Sequence, residues 1–154
     1  MKSLPYREGS WFAVPLRQGG YAVGLVARMA PTGRIVLAYL FGPKRDSVPS
    51  LADVAGLQPK DAIRCFRIGD LGLMTGEWPV LGESPHWDRR AWPMPSFVRR
   101  DDLSKRAWRS AYCDSDPSKL EREEPVSYEA SKLERDALHG AGAVELLMTK
   151  LLGS

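Results

Sequence analysis

For the first hundred or so residues, apolar positions fall into short runs separated by glycine- and proline-bearing turns, the pattern of a β meander. Trp11-Phe12-Ala13-Val14-Pro15-Leu16 is aromatic and β-branched, and Pro15 places it at a sheet edge or a bulge. The glycines of Arg17-Gln18-Gly19-Gly20 supply positive φ for a hairpin return into a second strand over 21–28. Gly24, in mid-strand, marks strong coiling or a close backbone approach. After the turn at Pro31-Thr32-Gly33, residues 34–41 are nearly all apolar, which predicts a central strand covered on both faces. Adjacent strands joined by short loops pair antiparallel, and coiled meanders of this kind tend to close into small barrels.

Ser50-Leu51-Ala52-Asp53-Val54-Ala55 predicts a short helix, with Ser50 as N-cap and Gly56 as stop. Alternation over 62–68 predicts another strand, its register ambiguous around Cys65-Phe66; 97–100 and 107–112 read as later strands with a turn between them. Near the end, Ser131-x-x-Glu134 is a capping-box pattern before Leu133 and Leu138. Residues 143–152 then place apolar side chains at 144, 147, 148, 151 and 152, one helical face that must dock on the sheet or on another copy, docking on the sheet being the favoured solution. Residues 69–96 differ from the rest, with four glycines, four prolines and three of the five tryptophans. Three tryptophans can bury enough surface to order such a loop on the body of the protein.

Length and composition narrow the class. At 154 residues, with 44% hydrophobic and 27% charged positions, the chain predicts one globular domain. No apolar run approaches the length of a membrane helix, and the start lacks a signal peptide's apolar core, so a cytoplasmic protein is expected. Cys65 and Cys113 read as reduced, largely buried thiols. The net charge of +3 is too small to predict nucleic-acid binding. Its distribution is uneven: residues 1–112 carry 17 basic and 10 acidic side chains, and residues 113–136 carry 4 basic and 8 acidic.

Candidate chemistry is mostly negative. His86 and His139 have no second ligand at metal spacing, so neither a metal nor a cofactor is expected. The Gly82-Glu83-Ser84-Pro85-His86 frame fails as a nucleophile elbow, and Gly19 to Gly24 lacks the Lys-Ser/Thr of a phosphate loop. No catalytic residue is assigned. What remains suits recognition: aromatic anchors, arginines and rigid prolines at Trp78-Pro79, Trp87-Asp88-Arg89-Arg90 and Trp92-Pro93-Met94-Pro95. Trp78 and Trp92 equally fit a small core that fastens the loop. The acidic Asp114, Asp116, Glu121, Glu123 and Glu124 complete the candidate partner-contacting set, though a solvated charged face is their ordinary reading.

Glu8-Gly9-Ser10-Trp11-Phe12-Ala13-Val14-Pro15-Leu16, then Gly19-Gly20-Tyr21-Ala22-Val23-Gly24-Leu25-Val26, resembles the immunity protein 26 family of bacterial polymorphic-toxin systems. Gly69-Asp70-Leu71-Gly72-Leu73, Gly76-Glu77-Trp78-Pro79-Val80 and Trp92-Pro93-Met94-Pro95-x-Phe97 are similar to segments of the same family, so the resemblance covers about 6–128. It implies a cytoplasmic protein that binds and neutralises a cognate toxin domain, many such domains being nucleases with basic clefts that the acidic segment would suit. Small-barrel binding modules for nucleic acid or a regulatory protein, and an enzyme with a hidden site, are the competing classes. The expected fold is α+β, in one domain over 1–154: a strongly curved antiparallel sheet of about six strands, or a partly open small β-barrel, with helices mainly at the C-terminus packed on one side.

Overall fold

The structure, a computed structural model, describes residues 3–129 and 132–153. Among these the chain forms, in order, β1 (Ser10–Pro15), β2 (Tyr21–Met29), β3 (Ile35–Arg45), α1 (Leu51–Val54), β4 (Arg64–Gly69), α2 (Leu71–Thr75), β5 (Val80–Glu83), β6 (Phe97–Asp101), β7 (Arg106–Cys113), β8 (Asp116–Val126), β9 (Leu138–His139) and α3 (Ala141–Leu152). The meander is as read. Gly19 and Gly20, at φ of 93° and 83°, make the first hairpin turn. Ser50 caps α1 as expected and completes a capping box with Asp53, each side chain accepting from the other's backbone N–H at 3.3 and 3.0 Å. Val36 to Phe41 of β3 are all buried, as a strand covered on both faces requires.

The strands form two sheets, β5-β1-β2-β3-β4-β9 and β6-β7-β8. All neighbours are antiparallel except β4 and β9, which run parallel. The large sheet stays open, because β5 and β9 end its order without pairing with each other. The α+β class stands, and the sheets are not closed into a barrel. After β4 the chain leaves into α2, and β6 to β8 build the separate three-stranded sheet.

Pairing registers divide the large sheet into two faces. Trp11, Leu25, Tyr39 and Cys65 lie in one cross-strand row, and Phe41 belongs to the same face. Phe12, Gly24 and Leu40 form a row on the opposite face, which also carries Phe66. This settles the register around Cys65-Phe66. A bulge at Ala27, between the pairs Val26↔Ala38 and Arg28↔Leu37, breaks the alternation in β2. It turns Arg28 onto the Trp11 face, where strict alternation would have sent it to the other.

Residues 69–96 wrap the β1 edge and seal both faces. Trp78 stacks on Phe12, the rings 3° from parallel with centroids 5.7 Å apart. Both rings rest on glycine: a Cβ at Gly24 would lie 2.2 Å from Phe12 Cζ, and one at Gly72 would lie 2.5 Å from Trp78 Cδ2. The close approach expected at Gly24 is thus made by a side chain. On the other face, Trp92 meets Trp11, Tyr39 and Phe41 edge-on, with centroids 6.0, 5.0 and 6.2 Å apart. Between the two tryptophans β5 adds an edge strand to β1. The loop is ordered, as its tryptophans predicted, and it contains α2, β5 and a 3-10 turn at Arg89–Ala91.

The C-terminal part departs from expectation. Residues 132–139 are not helical, and the capping residue Ser131 lies outside the described residues. This segment instead joins the two sheets: Val98 N–H donates to Glu134 O, Asp136 N–H donates to Val98 O, and Leu138 pairs with Arg67. Two strand edges that only the tertiary fold creates outcompete a weak local helix signal. The final helix does form and docks on the sheet as expected, burying Val144 and Met148. Trp78 Nε1 donates to Glu145 Oε2 of α3 at 2.8 Å, and Arg17 pairs with the same carboxylate at 3.2 Å. No described helix is long and apolar enough to cross a membrane.

Two outcomes test this packing. Gly24→Ala forces the Phe12 ring off its glycine, and should cost about 1–3 kcal/mol in urea unfolding, while Gly56→Ala, whose Cβ meets nothing within 4 Å, should be near neutral. His139 stacks on Phe66 at 4.1 Å, and burial holds its pKa below the ordinary 6.5. As pH falls through 6.5 the unfolded chain gains a proton that folded His139 refuses, so stability declines on the acid side. His139→Phe should remove that part of the acid slope in unfolding curves measured across the same range.

Candidate partner-binding site

The densest polar constellation lies beside the Trp92 face, where four chain segments meet. The Ala27 bulge delivers Arg28, which is 3% exposed, from β2. Glu8 comes from the turn before β1, Arg89 from the 3-10 turn and Asp114 from the turn joining β7 to β8. Arg28 Nε donates to Asp114 Oδ1 at 2.8 Å, and its Nη2 donates to Arg89 O at 3.1 Å. Arg89 forks onto Glu8 at 3.0 and 3.2 Å, and its Nη1 donates to Asp114 Oδ2 at 2.6 Å. The hydrogen bond from Arg28, helped by both guanidinium charges, holds the Asp114 carboxyl below the usual carboxylate range. Trp87 packs its ring against Gly9, stacks on Trp92 at 6.2 Å, and donates Nε1 to Glu8 Oε1 at 3.4 Å.

A groove of about 450 Å3 adjoins this network, between the segment 93–96 and the β7–β8 hairpin. Its proline wall is fixed from below, because buried Tyr39 donates its hydroxyl to Pro93 O at 2.6 Å. Burial pushes the Tyr39 phenol well above its ordinary pKa, so it remains a donor across the accessible pH range. Behind the groove a buried pair, Arg67 and Asp136, meets at 3.3 Å. The Tyr112 hydroxyl donates to the same carboxylate at 2.6 Å, and the Arg67 guanidinium lies 3.8 Å from the Tyr112 ring centroid. Burial, with that hydrogen bond, pushes Tyr112 up to about 12.

The residues singled out in the sequence separate into distinct roles. Trp78 is fully buried and Trp92 is 8% exposed, so both anchor the loop and leave almost nothing for a partner to cover. Of the two readings open for them, the packing one holds. Trp87, Arg89 and Asp114 are brought together in the network. Asp88 caps the 3-10 turn, accepting from Arg90 N–H at 3.0 Å, and the Arg90 side chain projects outward at 89% exposure. The acidic run does not make an acidic face. Asp116 accepts from Ser118, Glu123 pairs with Arg99 at 3.1 Å, and Glu124 pairs with Arg109, while Glu121 is exposed on β8. Glu123 and Glu124 also point to opposite sides of the small sheet.

Four participants escaped the sequence reading: Glu8, Arg28, Tyr112 and Asp136. Arg28 sits in an apolar strand with no local signal that a bulge will re-aim it, and Glu8 stood out only as part of an opening motif. Among the described residues, no group of three or more His, Cys, Asp or Glu side chains could hold a metal ion. Both cysteines are free, and burial pushes the Cys65 thiol up, away from nucleophilic reactivity.

A model of immunity protein 26 matches residues 7–109, more than half of the chain. The chain belongs to the immunity protein 26 family. No curated protein and no solved structure matches it. The span matched by the immunity protein 26 model contains Glu8, Arg28, Trp87 and Arg89, and it ends inside β7. Asp114, which closes the network, lies beyond that span, as do β8, β9 and α3.

The network predicts coupled energetics. Arg28→Ala removes a buried cation and should destabilise by about 3 kcal/mol. Asp114→Ala leaves that buried cation without its carboxylate and should also cost about 3 kcal/mol. In urea unfolding the double variant should lose less than the sum, because each single change already breaks the shared pair.

Proposed function

We propose that this protein neutralises a cognate bacterial toxin domain by binding it stoichiometrically, in the cytoplasm of the cell that makes it. The family match over residues 7–109 is the observation that carries this reading. Supporting it, Arg28, Arg90 and residues 93–96 of that span form one side of a preformed, arginine-lined groove, which the β7–β8 hairpin completes. Stoichiometric inhibition needs affinity without turnover, and about 800 Å2 buried per partner around a few anchors suffices. Preformed walls lower the ordering cost of such an interface. An acidic face suited to a nuclease cleft draws no support from the pairing of Asp114, Glu123 and Glu124 with arginines.

Co-expression with a toxin domain encoded beside this gene tests the reading. The toxin domain alone should arrest growth, and the pair should restore it and co-elute as a one-to-one complex with the toxin chemically intact. Growth arrest that persists in the presence of the folded protein, or rescue with the toxin degraded or modified, contradicts it.

A further inference from the structure

The groove beside the network carries positive charge that the protein leaves uncancelled. Arg28, Arg90 and Arg122 line it against one carboxylate, Asp114. Asp114 is already shared between Arg28 and Arg89. Arg90 meets only the carboxylate that caps its own turn, Asp88, at 3.3 Å, and an exposed pair of this kind is worth about 0–1 kcal/mol. The side chain of Arg122, on exposed β8, has no hydrogen-bond or ion-pair partner among the described residues. The unpaired guanidinium of Arg122 and that of Arg90, held only by exposed Asp88, thus flank a trough walled by Pro93, Met94 and Pro95 and floored by Ala111 and Tyr112.

We infer that this groove receives an extended acidic segment of a protein partner, which under the immunity reading is a segment of the toxin domain. Guanidinium forks match carboxylates two bonds at a time, so Arg90 and Arg122 select Asp or Glu side chains. The proline wall, tied to Tyr39, and the half-buried Met94 offer apolar contact to the residues between those acids. Among the residues that line it the trough has a single aromatic ring, Tyr112, on which Arg67 already stacks, while Trp87 and Trp92 stack on each other. A nucleic-acid strand would need a longer basic track and exposed rings on which to stack bases. The charge sense is opposite to that of an acidic plug: here the partner brings the carboxylates.

The test uses the full-length protein, Arg90→Glu/Arg122→Glu, and Lys150→Glu on α3 as a control on the opposite face, each checked for an unchanged unfolding midpoint. Against the toxin domain the double reversal should weaken binding about 100-fold, mostly through slower, salt-sensitive association, and Lys150→Glu should bind like the parent. A short peptide alternating glutamate and leucine should shift the backbone NMR signals of residues 90–96 and 111–122. Its glutamine counterpart should not, and the shifts should vanish in the double variant. Unaltered toxin binding by the double variant overturns the inference, as does a single-stranded DNA oligomer that binds the same signals more tightly than the acidic peptide. If the parent ignores the toxin domain while the acidic peptide still binds the groove, the immunity reading falls and the groove's chemistry stands.

Discussion

The fold depends on two aromatic rings lying flat where two glycines make room. Phe12 rests on Gly24 and Trp78 on Gly72, and the rings stack on one another. Burying a tryptophan and a phenylalanine in this way is worth several kcal/mol, of which the stacking itself contributes about 1 kcal/mol. Its larger effect is positional. Trp78 holds the chain after α2 against one face of the sheet and hydrogen-bonds Glu145, so the final helix is fixed to the same post. With Trp78 held there, β5 lies along β1, and the chain emerges on the other face at the right place for Trp92 to enter the second core.

That path around the sheet edge sets the wall of the proposed binding groove in fixed packing rather than in a mobile loop. Residues 87–96 would be a long irregular connection by sequence alone. They are held at one end by Trp87 and Arg89, which engage Glu8, and at the other by Trp92 and by the Tyr39 bond to Pro93. The small sheet is joined to the large one by two ionic clusters, Arg28–Asp114–Arg89 and Arg67–Asp136 with Tyr112. Where such pairs are buried, as Arg67–Asp136 is, they add little net stability, because desolvation offsets much of their attraction. They do fix register, since any other docking of the two sheets would strand a buried guanidinium.

Local signals carried much of the fold in the sequence. β1 to β4, β6 and β7 announce themselves by apolar runs and turn glycines, α1 by its serine cap, and α3 by a helical stripe whose Val144 and Met148 are the buried members. β8 was illegible for a physical reason: it is an exposed edge strand, Asp-Pro-Ser-Lys-Leu-Glu-Arg-Glu-Glu-Pro-Val, whose charges keep that edge from pairing elsewhere and mimic a solvated face. β9 was illegible because its two residues become a strand only when β4 presents an edge. The site was half legible. Trp87, Asp88, Arg89 and Arg90 were visible as aromatic and charged residues in a proline-rich frame and Asp114 as part of the acidic run, whereas Arg28 depends on a bulge and Asp136 on a partner many residues away. The acidic run was legible only as composition, since charge counted along a sequence does not show which arginines a fold will set against it.

The central claim is that residues 87–96 are set in place before any partner arrives. Amide hydrogen exchange on the free protein, read residue by residue, measures this most directly. The account predicts that the hydrogen-bonded amides of Arg90, Ala91 and Trp92 are protected in the free protein and change little when a partner binds. Rapid exchange at those three amides in the free protein, with protection gained only in a complex, would show a surface assembled by its ligand and contradict it.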